Sequence, residues 1–278
     1  MWILYSNCIE RIRCFFFGFF EAGDKRIQAF VRSGTKWLEK DCCRESVIMM
    51  KRKKQEPSVE INVRKKNMKF DNVYFFNGTA YAGKSTMVKR LAEKHNGIAC
   101  EENYHEALMD DNLDWNEFPN LGYTVHLKDW AEFVRRTPEE YARWIEGGAK
   151  EGEILELRIL EDLVRTTDKK IFVDTNISLE TLKRISDRDH VMIMLADPQI
   201  SVSRFFDRPD SEKQFLYQLL LKEKDPEAAM ANFRKCLEKV NSQENYDKFL
   251  HSGFQVLLRD ENRSIEETLQ LVEECLKL

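Results

Sequence analysis

The chain is predicted to contain a three-layer α/β domain, in which helices flank a central, mostly parallel sheet of five strands. Five short apolar runs lie at residues 73–76, 98–100, 171–173, 191–196 and 254–258. They lack polar alternation, which is typical of strands buried on both faces of a parallel sheet. Longer helical stretches separate them, as in strand–helix–strand units. These two observations, with clear signals for where helices begin, predict a doubly wound fold.

Three helix starts are marked by residues that satisfy the first free N–H groups of a helix. Thr137-Pro138-Glu139-Glu140 is a capping box with proline at the first helical position. Ser264-Ile265-Glu266-Glu267 is a second capping box, and Asp197-Pro198 opens another helix by the same logic. These signals place helices before the predicted third strand and after the fourth and fifth, as the fold class requires.

Composition sets limits on the class of protein. The 278 residues are 42% hydrophobic and 33% charged, which is an ordinary globular mixture. The net charge of −4 argues against a general nucleic-acid binder, and no specific nucleic-acid partner is predicted. Seven scattered cysteines without a C-x-x-C pair suit neither a zinc site nor a disulfide framework, and indicate a reducing cytoplasm. The adjacent Cys42 and Cys43 leave metal binding or redox sensing open.

Residues 1–68 are predicted to form a basic extension, partly helical or disordered, before a main domain at residues 69–278. The extension holds 15 Lys and Arg against 8 Asp and Glu, whereas the remainder holds 29 against 40. One interpretation is an arm that contacts a membrane surface or nucleic acid; a solvated tether is the simpler one. A third is that translation starts at Met49, Met50 or Met68. Charged residues interrupt the first apolar stretch, so no spanning helix is expected. The stretch also lacks a basic start and a small-residue cleavage site, which argues against a secretory signal.

Residues 78–85 fit the phosphate-loop pattern G-x-x-x-x-G-K-[ST]. A hydrophobic run precedes the loop, and an amphipathic helix from Ser85 to about His95 follows it, which is the context that the motif requires. Glycines let the backbone turn so that its N–H groups point at phosphates, and the helix start adds its positive dipole end. The predicted nucleotide contacts are Gly78, Thr79, Ala80, Tyr81, Ala82, Gly83, Lys84, Ser85 and Thr86.

The motif predicts ATP with Mg²⁺ as the ligand. Lys84 would place its charge on the β- and γ-phosphates, and the Ser85 hydroxyl would bind magnesium. Asp174 ends the apolar run 171–173, so it is predicted at the carboxyl edge of a strand, where it would hold magnesium directly or through water. The alternative for Asp174 is a turn or helix-cap aspartate.

Three classes of nucleotide-hydrolysing protein are disfavoured. Thr175 follows Asp174 where motor ATPases of the AAA+ kind carry a second acid that activates water. The chain also lacks the Asn-Lys-x-Asp guanine signature and an LSGGQ-like transporter signature.

The chain resembles the P-loop small-molecule kinases, which include nucleoside, nucleoside-monophosphate and shikimate kinases. The resemblance rests on the loop at 78–85, on Asp174, and on residues 191–210 and 254–276. It implies a lid with arginines after the fourth strand, which Arg204 and Arg208 match by position, and a helical lid or lid support at 211–250. These arginines would offset charge on the phosphoryl group in flight, or they form an exposed salt-bridging helix face.

The resemblance also implies that the acceptor binds between the second and third strands. Glu101 or Glu102, at the end of the second strand, is the candidate general base. His105 is interpreted as an ordinary loop histidine, and Gly122 and residues 110–112 as loop markers. Asp174-Thr175-Asn176 departs from the arginine-containing triplet of deoxyribonucleoside kinases. Other polar or aromatic candidates in this span are Trp115, Arg135, Arg136 and Arg158.

The leading hypothesis is an ATP-dependent phosphotransferase acting on a small hydroxyl- or phosphate-bearing acceptor. In this hypothesis the catalytic residues are Lys84, Glu101 or Glu102, Arg204 and Arg208. Magnesium is held by Ser85 and Asp174. The alternative is a switch or toxin-like NTPase, whose nucleotide state would control a protein or membrane partner through residues 1–68. The acceptor and the oligomeric state are not predicted.

Overall fold

The structure, a computed structural model, describes residues 70–110, 112–207 and 211–278. The predicted extension at residues 1–68 lies outside the described residues. So do Asp111 and the predicted lid residue Arg208.

The predicted five-stranded sheet is present, and all of its described pairings are parallel. The strands are β1 (Val73–Gly78), β2 (Ile98–Cys100), β3 (Ile171–Asp174), β4 (Val191–Leu195) and β5 (Gln255–Leu258), in the order β2-β3-β1-β4-β5. β1 therefore lies at the centre, between β3 and β4, and the chain reverses its direction of growth beside it. That position is where parallel α/β sheets form a crevice at the carboxyl ends of their strands.

Ten α-helices lie within the described residues. They are α1 (Lys84–Lys94), α2 (Pro119–His126), α3 (Trp130–Val134), α4 (Pro138–Thr166), α5 (Leu179–Ile185), α6 (Pro198–Ser203), α7 (Ser211–Leu221), α8 (Pro226–Val240), α9 (Gln243–Leu250) and α10 (Ile265–Leu276). Two short 3-10 turns span Tyr104–Leu108 and Arg188–His190.

The three inner strands of the sheet, β3, β1 and β4, are buried on both faces, which makes the three layers. On one face α4, α5 and α9 pack against the strands, with buried α4 side chains such as Ile159 and Leu163. On the other face α1 and α10 do so through Val88, Leu91 and Val272. Continuous apolar strands are required because neither face meets water. The prediction of a three-layer α/β fold is confirmed.

A second apolar cluster joins the helices beyond the sheet. It combines α2, α3 and the first half of α4 with α6, α7 and α8, around fully buried side chains such as Phe133 and Phe233. Residues 211–250 are helical as predicted, apart from short connections. α7 and α8 belong to this second cluster, whereas α9 packs beside β4.

Both predicted capping boxes are present, and α6 begins at Pro198 as predicted. At the start of α4, the Thr137 hydroxyl accepts from the Glu140 N–H, and the Glu140 carboxylate accepts from the Thr137 N–H. The helix of 29 residues that follows is the longest element described.

Two details of the sequence interpretation are wrong. Gly122 lies inside α2 and not in a loop, and a Cβ there would meet the Trp115 ring at 3.1 Å, so close packing explains the glycine. The fifth strand is not buried on both faces: it begins at Gln255, and Leu258 is 49% exposed. β5 is an edge strand and pairs with β4.

Among the described helices, none combines the length and the apolar character needed to cross a membrane.

Candidate functional site

The loop between β1 and α1 has a backbone that only a few residue types adopt easily. Gly78, Tyr81 and Gly83 have φ values of 126°, 65° and 95°. At Gly78 a Cβ would lie 2.0 Å from the Met194 carbonyl oxygen, because Gly78 is the last residue of β1 and pairs directly with Met194 of β4. Glycine is therefore required there by both conformation and space.

Thr79 anchors the loop to the end of β4. Its hydroxyl accepts from the Ala196 N–H at 2.7 Å and lies 3.2 Å from the Ala196 carbonyl, to which it can donate. Its backbone N–H donates to the Met194 carbonyl at 3.1 Å. These bonds fix the turn, so the loop is shaped before any ligand binds.

Lys84, Ser85 and Asp174 meet at the carboxyl ends of β1 and β3. The Ser85 hydroxyl donates to the Asp174 carboxylate at 2.6 Å, and the Lys84 ammonium lies 3.8 Å from the other carboxylate oxygen. The same ammonium donates to the Thr79 carbonyl at 3.0 Å. Asp174 is 2% exposed and pairs in register with Phe76 of β1. Residues 89 positions apart in sequence thus form one polar group on an apolar sheet.

These residues fit a nucleoside triphosphate with magnesium. The glycine-rich turn lets backbone N–H groups face a bound anion, and α1 begins at Lys84, directly after the turn. The hydroxyl of Ser85 and the carboxylate of Asp174 are hard oxygen donors of the kind that Mg²⁺ prefers. Within the described ranges no group of three or more His, Cys, Asp or Glu side chains could hold a metal. Mg²⁺ commonly takes one or two protein ligands and completes its shell with water and substrate phosphate oxygens.

Three basic residues surround Tyr81 in the loop. The Tyr81 hydroxyl donates to the Arg204 carbonyl at 2.9 Å, and the Arg259 guanidinium donates to the Tyr81 carbonyl. The ammonium of Lys213 lies 5.8 Å from the centre of the Tyr81 ring, although Lys213 is only 2% exposed. The predicted Arg204 ends α6 and is exposed. Sequence reasoning missed Lys213, because no local pattern separates it from other lysines.

The predicted acceptor carboxylates follow β2 at the same edge of the sheet. Glu101 forms an ion pair with Lys89 of α1, 2.7 Å apart and partly exposed. Glu102 is half-buried in the turn that follows. Because β2 and β3 are parallel neighbours, both glutamates lie at the same carboxyl edge of the sheet as Asp174.

The other arginines of the predicted acceptor span do not join this site. Arg135 pairs with Glu223 at 2.8 Å, and the Arg136 guanidinium lies 3.8 Å above the Tyr123 ring. They line a cavity of about 450 Å³ near the start of α4, with Arg143 on its wall. Arg143 lies thirteen positions before Glu156, the residue of α4 that comes close to the Asp174 end of β3. At 1.5 Å per residue this is about 20 Å along the helix, so the cavity is remote from the phosphate loop. Arg158 lies only two positions from Glu156 in α4, and its guanidinium is 5.7 Å from the centre of the Phe118 ring.

A buried polar group that sequence reasoning missed lies beside Asp174. Glu156 of α4 is fully buried, accepts from the Thr175 hydroxyl at 2.5 Å, and lies 3.1 Å from Nδ1 of His105. His105 is 2% exposed, so it is not the ordinary loop histidine of the sequence interpretation. The three residues come from separate elements, and only the fold brings them together.

No protein-family model matches the chain, and no curated protein matches it. Among solved structures, a shikimate kinase from Bacteroides thetaiotaomicron is similar at 18% identity and a TM-score of 0.39, over 74% of this chain and 98% of that one. The fold assignment rests instead on the sheet order and on the strand–loop–helix unit at 73–94.

Proposed function

We propose that the chain is an ATP-dependent phosphotransferase that moves the γ-phosphoryl group to a small acceptor bearing a hydroxyl or phosphate group. The observation that carries the proposal is the cluster of Lys84, Ser85 and Asp174 directly under a preformed phosphate loop. In phosphoryl transfer, positioning and charge stabilisation supply most of the catalysis. A cation, a metal-binding pair and a ring of backbone N–H groups are the parts such chemistry needs.

Each residue has a task in this proposal. Lys84 and the loop N–H groups bind the β- and γ-phosphates, and Ser85 and Asp174 hold magnesium. Magnesium, when bound, neutralises charge that develops on the phosphate oxygens. Arg204 and Arg208 would close over the phosphates and offset the charge of the phosphoryl group during transfer. Glu101 or Glu102 deprotonates or orients the acceptor at the end of β2.

Thr175 favours transfer to an acceptor over hydrolysis. Its hydroxyl donates to Glu156 at 2.5 Å and accepts from the Ile177 N–H at 3.0 Å. The position after the magnesium aspartate therefore carries a side chain engaged in the interior, and not a carboxylate that could activate water. This arrangement supports a kinase more than a hydrolytic switch.

The test is ADP release from ATP·Mg with separate pools of nucleosides, nucleoside monophosphates, shikimate-like acids and aminoglycosides. We expect one pool to raise the rate well above the rate with ATP·Mg alone. The purified product of that pool should carry one added phosphoryl group by mass. A rate of ADP release that is the same with every pool as with ATP·Mg alone would contradict the kinase proposal and favour a hydrolytic switch.

A further inference from the structure

The polar group formed by His105, Glu156 and Thr175 lies between the ends of two neighbouring strands. His105 belongs to the turn Tyr104–Leu108, which begins four residues after β2 ends, and Thr175 directly follows Asp174 at the end of β3. Glu156 reaches this point from the middle of α4 and contacts both residues. The group is therefore next to the predicted magnesium pair, on the side where the acceptor is proposed to bind.

The contact with Glu156 fixes which nitrogen of His105 carries a proton. A carboxylate accepts hydrogen bonds, so Nδ1, at 3.1 Å from Glu156, is the protonated nitrogen of the neutral ring. Nε2 then has a free lone pair. Among the residues that the structure describes, this buried nitrogen has no hydrogen-bond partner. A buried nitrogen is costly to leave unpaired, and an apolar side chain would avoid that cost.

The chain also makes room for this ring. A Cβ at position 152 would lie 3.3 Å from Cε1 of His105, so glycine lets the imidazole pack against α4. Glu156 lies one turn further along the same helix and holds Nδ1. A carboxylate that orients an imidazole, with the far nitrogen left free, is the arrangement that makes histidine an effective general base.

We propose that His105 is the general base for the acceptor, oriented by Glu156; this inference rests on the proposed function. The acceptor hydroxyl loses its proton to Nε2 as its oxygen forms a bond to the γ-phosphorus of ATP. The bond between that phosphorus and the β,γ-bridging oxygen breaks, and ADP leaves with the electron pair. Glu156 stabilises the imidazolium that forms, and Glu101 or Glu102 orients the acceptor.

The ring is closed to solvent in this structure, so the acceptor reaches Nε2 when the turn Tyr104–Leu108 shifts. The N–H groups of Tyr104, Glu106 and Met109 donate to the carbonyls of residues 101, 103 and 106. None of these three hydrogen bonds involves Ile98–Cys100, the residues of β2 that pair with β3, so a shift of the turn need not break that pairing.

The first measurement is the tautomer of His105, read by nitrogen NMR of protein labelled with ¹⁵N-histidine. All five histidines lie in the described ranges, and His105→Gln identifies the signal by its loss. We expect a protonated Nδ1 and an unprotonated Nε2. A ring with its proton on Nε2 would overturn the proposal, because the base would have no lone pair to offer.

The second measurement is steady-state kinetics with ATP·Mg and the pools of nucleosides, nucleoside monophosphates, shikimate-like acids and aminoglycosides. We expect His105→Gln to lower kcat by about 10²–10⁴-fold, the usual contribution of a general base, with the KM for ATP unchanged. Glu156→Gln should lower kcat about as much as His105→Gln, as when an amide replaces the carboxylate that orients a catalytic histidine. Its amide can donate to Nδ1, which moves the ring proton to Nε2.

The matched control is His126→Gln in α2, where Nδ1 contacts the Gly122 carbonyl and not a carboxylate. This variant should keep kcat and both KM values, and thermal unfolding of all three variants shows whether each is folded. A pool that works equally well with wild type and folded His105→Gln would overturn the role of His105 and leave the kinase proposal standing. If no pool raises ADP release with wild type, the kinase proposal fails and this inference fails with it.

Discussion

At the scale of single residues, Gly78 shows how tightly the loop depends on its sequence. Its φ of 126° disfavours any side chain, and a Cβ would overlap the Met194 carbonyl oxygen. Gly253 also has a positive φ, of 89°, but a Cβ there would meet no atom within 4 Å beyond its chain neighbours. Comparing Gly253 with Gly78 therefore separates the conformational cost of a side chain at positive φ from the cost of steric overlap.

We predict that Gly253→Ala lowers the free energy of unfolding by about 1–2 kcal/mol, the cost of a left-handed conformation. Gly78→Ala should lower it by about 1–3 kcal/mol more, since the loop must also move away from β4. Urea denaturation of both variants measures the difference. Equal losses in the two variants would contradict the close approach of the loop to β4.

Cys236 provides a prediction about reactivity. Burial in the second apolar cluster raises the pKa of its thiol to about 11. Because only the thiolate reacts, iodoacetamide at pH 8 should label half-buried Cys275 well before Cys236. Labelling of Cys236 should increase as pH rises toward 11 or when the protein is unfolded. Peptide mass spectrometry measures both sites, and equal rates at pH 8 would show that the helices do not enclose Cys236.

At the scale of elements, the capping boxes make the stability of two helix starts depend on pH. Hydrogen bonds from Thr137 and Ser264 lower the pKa of Glu140 and Glu267 below the ordinary 4.5. A lowered pKa in the folded state stabilises the protein above pH 4.5, and this contribution is lost as pH falls through the lowered value.

We therefore expect the double variant Glu140→Gln, Glu267→Gln to lower Tm at pH 7 and to differ less from wild type at pH 3.5. The matched control is Glu139→Gln, Glu266→Gln, which removes charges from the same first turns without touching the caps. Thermal unfolding at both pH values makes the comparison. The same pH dependence in the control would show that helix-dipole charge, and not the cap, is responsible.

The elements also show what could be predicted from sequence. The strands, the phosphate loop and the position of Asp174 were predictable because each is a local pattern: an apolar run, a motif of eight residues, an acid at the end of a run. The carboxylates of α4 were not. Glu151 binds the start of α2, Glu153 the start of α5, and Glu156 the turn after β2. On a charged helix they look like solvated residues, and only their long-range partners distinguish them.

At the scale of the whole molecule, the three apolar clusters described above include residues from Phe70 to Leu278. We predict that removing residues 1–68 leaves Tm and acceptor-dependent ADP release unchanged, because the proposed site lies entirely after Phe70. Differential scanning calorimetry and the ADP assay compare this truncated chain with the full chain. Loss of the fold would contradict the predicted domain boundary. Loss of ADP release alone would assign the extension a part in the site.

The most direct test of the proposed function is transfer of the γ-phosphoryl group from γ-³²P-labelled ATP. We expect the wild-type chain to move the label to a small organic acceptor. Lys84→Ala should lose this transfer by several orders of magnitude at an unchanged Tm, whereas Lys183→Ala, at an exposed lysine on α5, should keep it. Label that appears only as inorganic phosphate, or transfer that survives in Lys84→Ala, would contradict the proposed phosphotransferase.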